Sequence, residues 1–176
     1  MPSVGDLTSK LEEIAIVTLA SLQNVESALE LLAVNEETVG RLYSVYAERL
    51  PESSDFWNAL AAEERSHARW IRRFKEEDAS AAMPVKPDRF KNVAIRTSID
   101  HTEGEIAAAR VGNIKPTNAL SIANAIEQSL IESKFFEVFE TDSIDLKRLL
   151  FKLRDETREH ARTVLESWSQ HRFSHA

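Results

Sequence analysis

The sequence predicts an all-α fold, an antiparallel four-helix bundle with a long helical crossover and an extra helix at the N-terminus. Three observations carry that reading. Only four glycines and five prolines interrupt 176 residues, too few for a turn-rich β fold. Apolar residues recur at spacings of three and four along most of the chain, the period of a helix packed on one face. Four of these apolar stripes are each broken by a single acid, and two of them add a histidine on the same face. An interior tolerates such groups only when they are paired, hydrogen-bonded or bound to a metal.

The first segment, residues 1–23, reads as an amphipathic helix from about Asp6 to Leu22, with Leu7, Leu11, Ile14 and Leu22 on one stripe. It is expected to pack on the main body or on a second subunit. The bundle is expected over residues 24–170. Its first core helix runs from about Val25, with Ser27 and Glu30 as a capping box, to Arg49, where Pro51 enforces the end. The inward stripe is Leu29, Leu32, Glu36, Val39, Tyr43, Tyr46 and Leu50. Glu37 falls beside Ala33, Gly40 and Ser44 and is expected to be solvated. Gly40 costs a helix about 1 kcal/mol against alanine, so another helix is expected to approach closely there.

The second core helix is capped by Ser53 or Ser54 and runs from about Asp55 to Glu77. Phe56, Leu60, Ile71 and Phe74 form its stripe, and Glu64 and His67, three residues apart, share that face. Asp78 to Pro87 reads as a linker. Asp88 to Val111, closed by Gly112 and Asn113, reads as the helical crossover. Its Asp100, His101, Glu103 and Glu105 do not share a face and read as a solvated side. The third core helix follows Pro116, from Thr117 or Asn118 to about Glu140. Leu120, Ala123, Glu127, Leu130 or Ile131, and Val138 make its stripe. Glu132 lies on an adjacent face with Phe136 and Phe139; either acid could turn inward, and Glu127 is preferred. The fourth runs from about Ile144 to Gln170 with Leu146, Leu149, Leu153, Glu156, His160 and Val164 inward. Residues 171–176 are expected to fray, leaving His171 and His175 solvated.

Composition narrows the function. A net charge of −7 gives no basic footprint for nucleic acid or an anionic membrane. The absence of cysteine excludes disulfides, thiol catalysis and iron–sulfur clusters, and a cytoplasmic location is expected. The longest apolar run, Ile14 to Ala20 around Thr18, is too short for a bilayer. Glu12 and Glu13 precede it where a signal peptide would be basic. No serine or threonine stands in a nucleophile–base setting.

The candidate site is therefore metallic. Glu36, Glu64, His67, Glu127, Glu156 and His160 supply four carboxylates and two imidazoles, a set able to hold two divalent first-row ions. Oxygen-rich and free of sulfur, it favours iron or manganese over zinc. Tyr43 and Tyr46 read as core aromatics.

From Val25 to Trp168 the chain resembles the rubrerythrin branch of the ferritin-like di-metal carboxylate proteins. Glu36 followed by Tyr43-Ser44-Val45-Tyr46-Ala47 resembles that branch's first ligand helix. Leu60-Ala61-Ala62-Glu63-Glu64-Arg65-Ser66-His67-Ala68 is similar to its Glu-x-x-His segment, and Ala125-Ile126-Glu127-Gln128-Ser129-Leu130-Ile131-Glu132 to its third ligand helix. The fourth helix departs. Against His160 the Glu-x-x-His position is Thr157, with Glu156 one residue earlier. A cysteine-rich rubredoxin module is also missing, so reduction would need an external electron donor. The resemblance implies two iron or manganese ions per chain, an oxidoreductase acting on peroxide or oxygen, and a homodimer. The competing expectations are an iron-binding or storage protein without turnover, and a metal-free bundle serving as an interaction module.

Overall fold

A computed structural model describes residues 4–77, 92–132 and 144–173. The expected all-α class holds: the described residues form five α-helices, and no strand occurs among them. Helix α1 is Val4–Arg49, followed by a 3-10 turn at Pro51–Ser53. Helix α2 is Ser54–Glu77, α3 is Asn92–Val111, α4 is Pro116–Glu132 and α5 is Ile144–Phe173.

Two boundaries differ from expectation. The N-terminal helix and the first core helix are one helix of 46 residues, with no break before Val25. Between Gly5 and Pro51 the only glycine or proline is Gly40, so nothing in the backbone chemistry interrupts the run. Ser27 therefore lies inside a helix and not at its start. At the other end α5 continues past Gln170 to Phe173, carrying His171 within the helix. The expected linker at Asp78–Pro87 lies outside the described residues, as do Phe136, Val138, Phe139 and His175.

Side-chain pairs fix how the helices run. Glu30 meets Lys75, Glu37 meets Arg72 and Ser44 meets Arg65, so α1 and α2 are antiparallel. Glu37 is thus half-buried in an ion pair rather than freely solvated. Arg41 pairs with Glu103, and Arg49 donates to the Gly112 carbonyl at 2.7 Å, so α3 runs parallel to α1 and returns the chain to the Arg49 end. Its buried stripe of Ile95, Thr102, Ile106 and Ala109, with half-buried Ile99, lies at helical spacing. Asp100, His101 and Glu103 are exposed on the other side, as expected, whereas Glu105 is half-buried. Helix α4 packs on α5, and α5 runs antiparallel to α2, since Glu64 meets His160 while His67 meets Glu156.

Buried Leu29, Leu32, Val39, Tyr43, Tyr46, Leu60, Ile71, Leu120, Leu130, Leu146, Leu153 and Val164 make the interior. Each large side chain buried there contributes about 2 kcal/mol before conformational entropy is counted. The polar layer is Glu36, Glu64, His67, Glu127, Thr157 and His160, each at most 3% exposed. No helix among the described residues is long and apolar enough to cross a membrane.

Candidate metal centre

Four helices deliver the polar layer. Glu36 comes from the C-terminal half of α1, Glu64 and His67 from one face of α2, Glu127 from α4 and His160 from α5. The chain can bring α2 close to α1 because of Gly40. A Cβ built there would stand 3.2 Å from the Glu64 Cβ and 3.3 Å from the Ala61 carbonyl oxygen. That approach seats Glu64 against α1, at the centre of the layer.

Glu64 lies between the two histidines. Its Oε2 is 3.1 Å from Nδ1 of His67, and its Oε1 is 2.7 Å from Nδ1 of His160. The rings stack with centroids 5.3 Å apart. Glu36 Oε2 adds a second oxygen 3.3 Å from His67 Nδ1, and Glu127 Oε1 lies 3.8 Å from His160 Nδ1. The donors thus fall into two groups of three that share Glu64: Glu36, Glu64 and His67, then Glu127, Glu64 and His160.

The outer nitrogens are engaged as well. His67 Nε2 donates to Glu156 at 2.8 Å, and His160 Nε2 donates to Glu63 at 2.6 Å. The pattern is reciprocal, each helix holding the other's imidazole. Tyr43, fully buried, donates its hydroxyl to Glu127 Oε1 at 2.6 Å. Trp70 packs 5.4 Å from the His67 ring, and Lys152 sits 3.5 Å above the Trp70 ring, at the solvent side.

Electrostatics within the layer are strongly shifted. Burial raises Glu36 to about 7, its hydrogen bond with His67 opposing the rise. Burial raises Glu127 to about 8, helped by the charge on Glu64. Burial would also raise Glu64, but hydrogen bonds and charge from His160 and His67 outweigh it and hold Glu64 well below the usual carboxylate range. For the histidines burial opposes protonation, yet Glu36 and Glu64 push His67 up to about 11, and Glu64 pushes His160 up to about 9. Without a metal the layer keeps its charges compensated by holding protons.

Those protons stand where a cation would. Donor atoms of Glu64, His67 and His160 all lie within 4.8 Å of one another, so these three residues could hold a metal ion. Neighbouring ligands about an octahedral ion lie about 3 Å apart, given metal–ligand bonds near 2.1 Å, and the shorter separations above match. Two buried oxygens, Glu36 Oε1 and Glu127 Oε2, have no hydrogen-bond partner. A buried carboxylate oxygen left unpaired is costly, and a hard divalent ion held by each donor group would satisfy the one in that group. The donor set therefore fits a metal.

Of the six residues read from the sequence as ligands, Glu36, Glu64, His67, Glu127 and His160 meet in this layer. Glu156 stands apart, half-exposed and on the outer nitrogen of His67. The inward stripe of α5 keeps Leu146, Leu153, His160 and Val164 but differs at two positions: Leu150 and Thr157 are buried where Leu149 and Glu156 were expected, and these two are half-buried. Both choices keep a three–four spacing from Leu146 to His160, so the apolar pattern alone does not separate them. Thr157 turns its hydroxyl onto the Leu153 carbonyl of its own helix at 2.9 Å.

Two participants were missed. Glu63 was not singled out, and Tyr43 read as core. A signal for Glu63 was present: Glu63-Glu64-Arg65-Ser66-His67 and Glu156-Thr157-Arg158-Glu159-His160 are the same pattern twice, an acid four residues before each histidine. Comparison with protein-family models, curated proteins and solved structures found no match.

Proposed function

We propose that the chain is a ferritin-like four-helix bundle, close in kind to the rubrerythrin branch, that binds two iron or manganese ions and uses them to reduce peroxide or oxygen. The observation that carries this reading is Glu64, whose two oxygens each face the inner nitrogen of a different histidine. One carboxylate so placed serves two metal positions. Glu36, Glu64 and His67 would hold one ion, and Glu127, Glu64 and His160 the other. The ions would supply the redox equivalents, replenished by an external donor.

The protein's own part is orientation and exclusion of water. Glu156 and Glu63 hold the imidazoles so that Nδ1 of each faces inward, the role outer carboxylates play toward metal-bound histidines. Tyr43 fixes one oxygen of Glu127. Trp70 covers the His67 ring from the solvent side. A second reading, metal binding without turnover, is favoured by Thr157, which offers no carboxylate where the resemblance expects one.

Elemental analysis of untagged protein from iron- and manganese-supplemented cells tests both. About two metals per chain are expected, lost in Glu64→Ala and His67→Ala, with peroxide consumed when a reductant is supplied. Two metals with background turnover would select the binding protein. Metal-free protein from every preparation would overturn both readings.

A further inference from the structure

The layer pairs α2 with α5 almost symmetrically, and the break in that pairing has a chemical consequence. Glu64 stands three residues before His67 on α2, and Thr157 stands three residues before His160 on α5. Both are buried, Thr157 to 2% exposure. Glu64 turns its carboxylate between the imidazoles, whereas Thr157 bonds back to the Leu153 carbonyl and presents no ligand oxygen.

Charge makes that difference matter. Two divalent ions among Glu36, Glu64 and Glu127 keep one positive charge unmatched by the buried carboxylates. Glu63 and Glu156, with side chains 57% and 38% exposed, face solvent and are screened by it. A net charge enclosed in a low-dielectric interior is costly unless a counter-charge reaches it. A monoanion with two oxygens at the spacing of the Glu64 carboxylate would match both the charge and the donor type.

We propose that Thr157 makes the two-metal site a receptor for a small monocarboxylate, which supplies beside Thr157 the carboxylate that α2 supplies through Glu64. The proposal rests on the two-metal reading above. The carboxylate class of ligand, acetate being its smallest practical member, is then what distinguishes this site from one closed by its own four glutamates.

The test uses the full chain loaded with cobalt(II), with cobalt content measured first. Acetate is then titrated while the ligand-field absorption and the broadening of the acetate methyl proton signal are followed. Expected are two cobalt ions per chain and one acetate bound saturably, with a dissociation constant of about 1 mM. Thr157→Glu should keep both ions and lose the acetate response. Thr157→Val should keep both ions and the response, because the hydroxyl already bonds to its own helix. Two cobalt ions with neither absorption nor line width responding to acetate would overturn the proposal and leave the metal reading standing, with hydroxide as the counter-charge. Fewer than two ions in the unaltered protein would overturn the metal reading itself. Should Thr157→Glu fail to fold, the line broadening of acetate by the unaltered cobalt protein decides alone.

Discussion

His67 and His160 each present both ring nitrogens to carboxylates, the inner ones to Glu36 and Glu64, the outer ones to Glu156 and Glu63. An imidazole held this way has one orientation and one tautomer available when a metal replaces the inner proton. Glu156→Gln and Glu63→Gln keep an acceptor oxygen but remove its charge. Each should weaken metal binding about 10- to 100-fold, read by competition with a chelator, with little change in helix content. Unchanged affinity in both would mean that the outer acids merely decorate the surface. Most of the inner group was legible beforehand because a glutamate or histidine on an apolar stripe stands out: Glu36, Glu64, His67, Glu127 and His160 all did. Glu63 was not, since an exposed glutamate with a histidine four residues on looks like an ordinary surface pair, and Glu156 was placed among the inner ligands although it stands outside them. Two positions on α5 were misplaced for a related reason. Glu156 advertises chemistry and Thr157 does not, yet Thr157 is the buried one.

At the scale of elements, two glycines in helices make opposite predictions. Gly104 lies in α3, exposed, and a Cβ there would meet nothing within 4 Å. Gly104→Ala should therefore stabilise the protein by about 0.5–1 kcal/mol through helix propensity alone. Gly40 would gain the same propensity, but its Cβ would press on the Glu64 Cβ and on the Ala61 backbone oxygen. Backbone cannot swing aside as a side-chain end can, so α2 must shift by tenths of an ångström, and Glu64 with it. Gly40→Ala is expected to lose most of that gain and to weaken metal binding at least about tenfold, a loss of about 1.4 kcal/mol. Thermal unfolding and chelator competition on the two variants check this, and metal affinity as good as that of Gly104→Ala would sink the positioning role. The close approach at Gly40 was foreseeable, because a mid-helix glycine needs a reason. The unbroken helix α1 was not, since Ser27 with Glu30 satisfies a capping pattern. Such patterns mark where a helix could start, and tertiary packing decides whether it does.

For the whole molecule the buried layer couples folding to protons, and a metal bound there would enter the same balance. The sign follows from the direction of each shift. Glu36 and Glu127 titrate near 4.5 when unfolded but near 7 and 8 when folded, so between those limits the folded state binds more protons. Stability from that source falls as pH rises through about 5 to 8. His67 and His160, ordinarily near 6.5, are pushed up to about 11 and about 9, so their contribution is complete below about 6.5 and is lost as pH climbs through those values. Glu64 works the other way, contributing above its ordinary value of 4.5 and losing that contribution only in acid. Above about pH 5 it is ionised in both states and adds no slope. Metal-free protein should accordingly lose thermal stability steadily from about pH 5 to pH 9. Bound metal displaces the same protons, so the loaded protein should show a flatter profile, and the rise in Tm on adding metal should widen with pH. Paired thermal melts with and without metal across that range test the coupling. Parallel curves would mean that the buried protons and the metal do not compete for the same atoms, and the layer would then be an ion-pair network that holds the helices together without serving as a metal centre.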